Sequence, residues 1–334
     1  MTLLQRIHAF HTLGSQLSHL SPDDFQTIAE RTRQENPWFT EPNVRMALDG
    51  VQQFLRTDAL TAWTAPYTFG PDPKRVALVM AGNIPLVGFH DFLSVLIAGH
   101  VAVIKLSSKD TVLLRWLIGL LVEIEPAFKN QIEIVERLQL FDAVIATGSD
   151  NSSRYFEYYF GKYPHIIRKN RTSVAILTGK ETQDQIIALG DDVFSYFGLG
   201  CRNVSKVYVP EGYNFGTLLS PWEPRNPIIH HHKYCNNYDY QKSILLVNCV
   251  PFLDNGFVLL RESDKMVSPI SVLFYETYSD DQSLAANLAS HADKLQCIAG
   301  EHALASVPPG QTQYPTLTDY PDQVDVLKFL EGLR

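Results

Sequence analysis

The sequence predicts an α/β protein with two doubly wound α/β domains and an N-terminal helical segment. Short apolar runs, such as 76–80 and 101–105, alternate with segments of helical periodicity along most of the chain. Strands of a parallel sheet show this pattern because crossover helices bury both of their faces. The length of 334 residues is enough for two such domains. Polar residues or glycines follow several of the runs, where the chain must turn.

The first predicted domain covers residues 1–170 and begins with helices. Apolar residues recur at helical spacing through residues 1–62, and Ser21 followed by Pro22 marks the start of one helix. A connection rich in proline and glycine follows at 66–73. The predicted elements are then strand 76–80, helix 86–98, strand 101–105, helix 111–123, strand 132–135 and strand 143–146.

The second predicted domain covers residues 171–305, and the segment 306–334 is expected to return to the first domain or to an interface. The pattern is again that of an α/β fold. The predicted elements are strand 174–177, helix 182–197, a turn around Cys201, strand 205–209, a polar and aromatic stretch over 226–240, helix 241–249, and strands 257–260 and 272–275.

Composition excludes several classes of protein. The net charge of -8 argues against binding of nucleic acid by phosphate neutralisation. The longest uncharged apolar run, between Asp91 and Lys105, is shorter than the ~20 residues of a membrane span, so no span is predicted. The four cysteines form no CxxC pair, which predicts neither a zinc site nor a disulfide framework and favours a cytoplasmic location. The adjacent histidines at 230–232 are interpreted as a surface or packed cluster, with no metal site.

Three predicted strands of the first domain end in residues that suit a ligand site. Ligands of a doubly wound sheet bind at the carboxyl ends of its strands. The residues at or just after the ends of the first, second and fourth strands are Asn83; Lys105, Ser107 and Ser108; and Thr147, Gly148 and Ser149. A lysine, hydroxyl groups and a helix start suit phosphate and ribose. The fingerprint GxGxxG is absent, and each segment alone also suits an ordinary loop or helix cap.

Cys201 is the candidate nucleophile. It follows Gly198 and Gly200 and precedes strand 205–209, on a tight connection from helix to strand. Glycine permits the backbone angles of such a turn and leaves room for a ligand. A thiol there, with Arg202 beside it, can be held as the reactive thiolate. A cysteine of this kind is also commonly a small buried apolar residue, which is the interpretation we favour for Cys235, Cys249 and Cys297.

Together these segments resemble the aldehyde dehydrogenase superfamily, and within it the acyl-CoA reductase branch, the LuxC-like bacterial fatty-acyl reductases. The resemblance covers most of the chain from residue 76 onward. The segments that carry it are Gly82 to Pro85, Phe197 to Ser205, Pro309 to Gln313 and Asp319 to Asp325. It implies an aldehyde dehydrogenase fold, in which the first domain binds a nicotinamide cofactor and the second carries the cysteine.

The resemblance implies that an acyl-CoA, or another acyl thioester, is reduced to an aldehyde. Cys201 would attack the thioester and release coenzyme A, while the Asn83 amide and the Cys201 backbone N–H would hold the oxyanion. Hydride from NADPH or NADH would then reduce the acyl-enzyme. The cofactor would be bound by Lys105, Ser107, Ser108, Thr147, Gly148 and Ser149.

Three positions depart from the superfamily pattern. Hydrolytic relatives carry a Glu before the catalytic Cys, whereas residues 158–180 contain no Asp or Glu and Arg168 falls near that position. Attack of water on the acyl-enzyme is therefore expected to be slow. The Glu that usually holds the nicotinamide ribose falls near Lys265. Ser108, followed by Lys109, falls where NAD-preferring relatives tend to carry a carboxylate, so we expect NADPH to be used at least as well as NADH.

Two other functions fit the same residues. One is a CoA-acylating aldehyde dehydrogenase that works in the oxidative direction. The other is a non-catalytic relative that keeps the fold as a binding protein, which the short chain and the missing acidic residues leave open. Relatives form dimers through an extra hairpin, and we interpret residues 63–73 as a short version of it, which leaves a homodimer open.

Overall fold

Residues 1–148 and 150–333 are described by the computed structural model, apart from the side chains of Asp150 and Asn151. The chain divides into two units. Unit 1 consists of Met1–Asn170 and Pro315–Arg334, and unit 2 of Arg171–Tyr314. The sequence predicts the second boundary at residue 305, whereas unit 2 ends at Tyr314.

Helices form the first part of unit 1. They are α1 (Leu3–Ser18), α2 (Pro22–Glu35), α3 (Glu41–Phe54) and α4 (Thr57–Thr64). The Ser21 side chain accepts the N–H of Asp24 and so caps α2, as the sequence indicates. Phe10 of α1 is fully buried, with its ring centroid 5.5 Å from that of Phe128 and 6.5 Å from that of Phe92. The N-terminal helices therefore belong to the core of unit 1.

The rest of unit 1 up to residue 170 alternates strands and helices. They are β1 (Arg75–Val79), α5 (Phe89–Ile97), β2 (Val101–Lys105), α6 (Val112–Ile124), β3 (Ile132–Ile134), β4 (Ala143–Thr147), α7 (Asp150–Phe160) and β5 (His165–Arg168). The strands form a parallel sheet in the order β3-β2-β1-β4-β5. The strand order reverses between β1 and β4, and doubly wound sheets bind ligands at such a point.

Unit 2 contains a second sheet. Its elements are β6 (Thr172–Ile176), α8 (Gln183–Phe194), β7 (Val204–Pro210), α9 (Phe215–Leu219), α10 (His232–Val247), β8 (Leu253–Asp254), β9 (Leu259–Glu262), β10 (Val272–Tyr278), α11 (Asp281–Ser290) and β11 (Leu295–Gly300). The strand order is β11-β6-β7-β10-β9-β8, and β8 pairs antiparallel with β9 while the other pairs are parallel. A 3₁₀ segment, Ser195–Gly198, follows α8. Trp222 and Phe257 are fully buried in the core.

After Tyr314 the chain returns to unit 1 and ends in α12 (Val326–Glu331). Leu327 of this helix is fully buried in the core of unit 1. The indole N–H of Trp63 donates to the hydroxyl of Tyr320 at 2.9 Å. The two ends of the chain thus meet in one core.

The structure confirms the predicted α/β class, and each predicted strand overlaps with an observed one. Three helix boundaries are wrong. Helix 86–98 begins only at Phe89, because Leu86 has a left-handed backbone with a φ of 57°. Helix 182–197 ends at Phe194, before residues with positive φ. The helix predicted at 241–249 is α10, and it begins at His232, within the stretch predicted as a connection.

Some elements have no counterpart in the sequence prediction, among them β5, β8, β11 and α12. The hairpin expected at 63–73 is wrong: α4 runs to Thr64, and no strand occurs among residues 65–74, all of which are described. Within the described part of the chain, no helix has both the length and the apolar character needed to cross a membrane.

Candidate active site

Cys201 lies on the turn between α8 and β7 and is half-buried. The turn begins with consecutive left-handed residues: φ is 50° at Tyr196, 58° at Phe197 and 76° at Gly198. Glycine adopts such angles without strain, but each aromatic residue costs about 1–3 kcal/mol there. Strain of this kind persists only where the surroundings fix the backbone.

Asn203 is the residue that braces this turn. It is 2% exposed, and its Oδ1 accepts the N–H of Gly200 at 2.8 Å. Its Nδ2 donates to the carbonyl oxygens of Ser195 at 2.8 Å and Asp192 at 3.1 Å. One side chain thus ties the end of α8 to the residue before Cys201. Asn203 was not identified as a functional residue from the sequence.

A second contact holds the peptide of the cysteine itself. The hydroxyl of Ser173, on β6, donates to the carbonyl oxygen of Cys201 at 3.1 Å. The same hydroxyl lies 3.0 Å from the sulfur of Cys297. Cys297 is buried, as expected for a core thiol, whereas Cys249 is exposed and that expectation is wrong. The peptide of Cys201 is therefore fixed from the neighbouring strand as well as from its own turn.

The segment 309–313, which carried part of the sequence resemblance, docks beside the cysteine turn. Asp192 of α8 is fully buried and accepts the N–H of Gly310 at 2.6 Å and the N–H of Thr312 at 2.9 Å. Burial raises the pKa of Asp192, and these hydrogen bonds oppose the shift. The guanidinium of Arg202, next to Cys201, donates to the carbonyl of Thr312 at 3.3 Å. Arg202 thus holds this segment to the turn.

Aromatic residues pack on the other side of the turn. The ring centroid of Phe197 lies 4.4 Å from that of His231 and 6.0 Å from that of Tyr234. The side chain of His231 also accepts the N–H of Tyr234 and so caps α10. The cavity beside these rings has a volume of only about 30 Å³, which is the space of one water and not of an acyl chain.

The predicted cofactor residues lie at the carboxyl edge of the unit 1 sheet. Lys105 ends β2 with its side chain exposed, Ser108 is exposed and Ser107 is half-buried. The β1–α5 loop, which carries the exposed Asn83, touches them, since a Cβ on Gly82 would lie 2.5 Å from the Ser107 Oγ. These two loops are therefore brought together.

Of the other predicted cofactor residues, Thr147 ends β4 beside β1 in the sheet and is half-buried. Gly148 is the next residue and is closely packed against Phe156, because a Cβ on Gly148 would lie 2.7 Å from the Phe156 ring. Ser149 lies outside the described residues. A nicotinamide dinucleotide presents phosphates and ribose hydroxyls, and the ammonium and hydroxyl groups of this edge are the donors that such groups need. The residues present fit the cofactor.

Asn83 belongs to unit 1 and Cys201 to unit 2, so the predicted oxyanion pair stays a prediction.

No protein-family model matches the sequence, and no curated protein matches it. Solved structures do match: aldehyde dehydrogenase 21 from Physcomitrella patens, in complex with succinate, is 13% identical, has a TM-score of 0.69, and the match covers 99% of this chain and 84% of that chain. A variant of aldehyde dehydrogenase from Bacillus cereus is 13% identical, with a TM-score of 0.66, over 92% of this chain and 76% of that chain.

The chain has the aldehyde dehydrogenase fold. Another structure that it matches is the NADP complex of glyceraldehyde-3-phosphate dehydrogenase GapN from Methanocaldococcus jannaschii, at 11% identity and a TM-score of 0.63, over 90% of this chain and 76% of that chain.

Within this aldehyde dehydrogenase fold, Arg168 ends β5 and forms a buried ion pair. Its guanidinium donates to the carboxylate of Asp91, on α5, at 2.7 Å, and the two side chains are only 5% and 6% exposed. Asp91 was not identified from the sequence. Lys265, the other departure, is exposed in unit 2, and its backbone N–H donates to the Ser263 hydroxyl at 3.2 Å.

Proposed function

We propose that the protein is an acyl-CoA reductase that forms an acyl-enzyme on Cys201 and uses NADPH or NADH. The observation that carries this proposal is the braced turn, in which Asn203 and Ser173 fix the backbone around the Cys201 thiol. A nucleophile that works through a tetrahedral intermediate needs a fixed backbone N–H as well as a fixed sulfur. The aldehyde dehydrogenase fold supports the same chemistry.

In the first stage, the Cys201 thiolate attacks the carbonyl carbon of the thioester, and the carbonyl electron pair moves to oxygen. The backbone N–H of Cys201 and the side-chain amide of Asn83 are assigned to this oxyanion. Its collapse breaks the bond to the sulfur of coenzyme A, which leaves as a thiolate and takes up a proton. The acyl group remains on the cysteine.

In the second stage, the acyl carbon would receive a hydride, which is the chemistry that NAD(P)H would supply when bound. The residues assigned to hold it are Lys105, Ser107, Ser108, Thr147, Gly148 and Ser149. The oxyanion forms again, and its collapse breaks the carbon–sulfur bond to Cys201. The aldehyde leaves, and the thiolate is restored for the next thioester.

The ion pair between Arg168 and Asp91 supports transfer of the acyl group to hydride or coenzyme A, and not to water. A general base for water needs a carboxylate that can accept a proton. Arg168 falls near the position of that base in hydrolytic relatives, and Asp91 is already bonded to the guanidinium at 2.7 Å. We therefore expect hydrolysis of the acyl-enzyme to be much slower than its reduction.

The test is the consumption of NADPH by the pure protein with acyl-CoAs of several chain lengths. Cys201→Ala should lower the rate at least about 1000-fold, because the covalent route is lost. Cys249→Ala, which removes an exposed thiol, is the matched control and should leave the rate unchanged. The chain-length profile would define the substrate.

Three other outcomes would contradict the proposed reduction through Cys201. Production of acyl-CoA from aldehyde, coenzyme A and NADP⁺ at a rate far above the reverse would place the protein in the oxidative direction. A rate with acyl-CoA that survives Cys201→Ala would exclude the acyl-enzyme. No turnover in either direction, together with binding of acyl-CoA, would support a binding protein.

A further inference from the structure

Asp110 is a buried carboxylic acid that joins two loops at the carboxyl edge of the unit 1 sheet. It lies between β2 and α6, is 6% exposed, and its Oδ2 accepts the backbone N–H of Leu86 at 2.8 Å. Leu86 belongs to the β1–α5 loop, three residues after Asn83. Among the described residues, no group bonds to the other carboxyl oxygen, Oδ1, which is also buried.

Both loops are closely packed around this hydrogen bond. Leu86 is held in a left-handed conformation with a φ of 57°, which a residue other than glycine adopts at a cost. The N–H of Asp110 donates to the carbonyl of Ser107 at 3.2 Å and closes a turn through Ser108. A Cβ on Gly82 would lie 3.3 Å from the Cβ of Asp110. A shift of one loop therefore moves the other.

The charge that acts on Asp110 is that of Glu35, and it is negative. Glu35, at the end of α2, accepts the N–H of Thr111 at 2.8 Å and that of Val112 at 3.2 Å. Lys109 is adjacent in sequence, but its side chain is exposed. The β1–α5 loop, residues 80–88, has no titratable side chain. Burial is the main cause that raises the pKa of Asp110 to about 7; the hydrogen bond from Leu86 opposes the shift, and the charge of Glu35 adds to it.

We propose that Asp110 is a positioning residue that keeps the Asn83 loop and the Ser107–Ser108 loop in one arrangement, and that its ionisation loosens this arrangement. The positioning role rests on the proposed function, which assigns the carbonyl site to Asn83 and the cofactor to the two serines. An ionised Asp110 would leave a charge buried near Glu35, and no cation in the described part of the chain compensates it. The neutral acid keeps the bond to Leu86 without that cost.

The stability of the folded protein depends on the protonation of Asp110. The folded protein keeps the Asp110 proton up to about pH 7, whereas the unfolded chain releases it near its usual pKa of about 4. The folded state therefore binds more protons between these values, and its stability falls as pH rises through this range. The two loops should be tightest below pH 7 and loosest above it.

Hydrogen–deuterium exchange tests the proposal without relying on activity. We would compare peptides covering 81–88 and 105–111 at pH 6 and pH 8.5, corrected for the chemical rate, in the protein and in Asp110→Asn and Asp110→Ala. The expected result is a corrected rate for 81–88 that rises several-fold with pH in the natural protein. Asp110→Asn keeps an acceptor for Leu86 and should show no such rise, and Asp110→Ala should exchange fast at both pH values.

The matched control is Asp142→Asn. Asp142 also accepts a backbone N–H through Oδ2, that of Arg75 at 2.7 Å, but it is exposed and lies at the other end of β1. This variant should retain the pH dependence of the natural protein. NADPH should protect 81–88 in the natural protein, and this protection should be reduced in Asp110→Ala.

In turnover, kcat/KM should fall above pH 7 in the natural protein and stay level in Asp110→Asn.

Equal exchange of peptide 81–88 in Asp110→Ala and in the natural protein would overturn the proposal. So would an exchange rate in Asp110→Asn that rises with pH as it does in the natural protein. If Asp110→Ala does not fold, Asp110→Asn alone decides through its pH profile. If the exchange results hold but no acyl-CoA is reduced, the proposed function fails and the coupling of the loops stands.

Discussion

Ser108 is an exposed hydroxyl beside the exposed Lys109, at the end of β2. Under the proposed function this pair meets the 2′-phosphate of NADPH, and a carboxylate there would repel it. Ser108→Glu should therefore lower the ratio of kcat/KM for NADPH to that for NADH at least tenfold, or about 1.4 kcal/mol. Steady-state kinetics with the two cofactors measure it. Ser243→Glu, which adds the same charge to an exposed serine of α10, is the control, and an unchanged ratio in Ser108→Glu would contradict the assignment.

From the sequence, candidate residues could be selected where the residue type itself suggests a chemical role. Residues whose role depends on a contact with a distant part of the chain were missed. Cys201 and Lys105 were selected as candidates because a thiol on a glycine turn and a lysine at the end of a strand are chemically distinctive. Asp110 and Asp91 were not, because their roles depend on groups that lie far away in the sequence. Leu86 is 24 residues from Asp110, and Arg168 is 77 residues from Asp91. No local pattern marks such a pair.

The turn that carries Cys201 is the element on which the proposed chemistry depends. Asn203→Ala would leave the N–H of Gly200 and the carbonyl of Ser195 without the partners they have at 2.8 Å. The carbonyl of Asp192, in a buried hydrogen bond of 3.1 Å, would lose its partner as well. A buried group that loses its partner costs roughly 1–3 kcal/mol and a half-buried one less, so we expect the free energy of unfolding to fall by about 3 kcal/mol. The strained residues before Cys201 would relax, and kcat should fall more than tenfold with little change in KM for acyl-CoA.

Urea unfolding and steady-state kinetics would measure both effects. Asn248→Ala is the matched control, because Asn248 donates to the carbonyl of Ile244 at 2.8 Å from an exposed position. That variant should change neither quantity. A large loss of stability in Asn203→Ala with an unchanged kcat would show that catalysis does not need the braced turn.

Among the secondary-structure elements, the prediction was most accurate for strands that are buried on both faces of the sheet. The apolar runs of β1, β2 and β4 are short and rich in β-branched residues, which favours strands over helices, and the structure confirms them. The end of α8 was predicted too late because Tyr196 and Phe197 do not favour the left-handed backbone that they adopt. Their strain is imposed by contacts that the local sequence does not contain. β5 was missed because only two of its four residues are apolar, so the sequence shows no apolar run there.

For the whole molecule, the decisive feature is that unit 1 is built from both ends of the chain. The hydroxyl of Tyr67 donates to the carboxylate of Asp325 at 2.7 Å, and His90 contacts the carbonyl of Leu317 at 3.0 Å. These contacts span more than two hundred residues in sequence, and all of unit 2 lies between them. The N-terminal helices and α12 therefore complete the core that supports the predicted cofactor edge.

Leu327 of α12 tests this dependence, because it is fully buried in the core of unit 1. Leu327→Ala removes buried methyl groups and leaves a cavity, which should lower the free energy of unfolding by about 3 kcal/mol. Leu246→Ala makes the same substitution at a residue of α10 that is 59% exposed, and should change it by no more than about 0.5 kcal/mol. Urea unfolding of the two variants gives the comparison. Equal stability of the two would mean that α12 adds little to the core, whereas the expected difference would show that α12 stabilises the core of unit 1, on which the predicted cofactor edge is built.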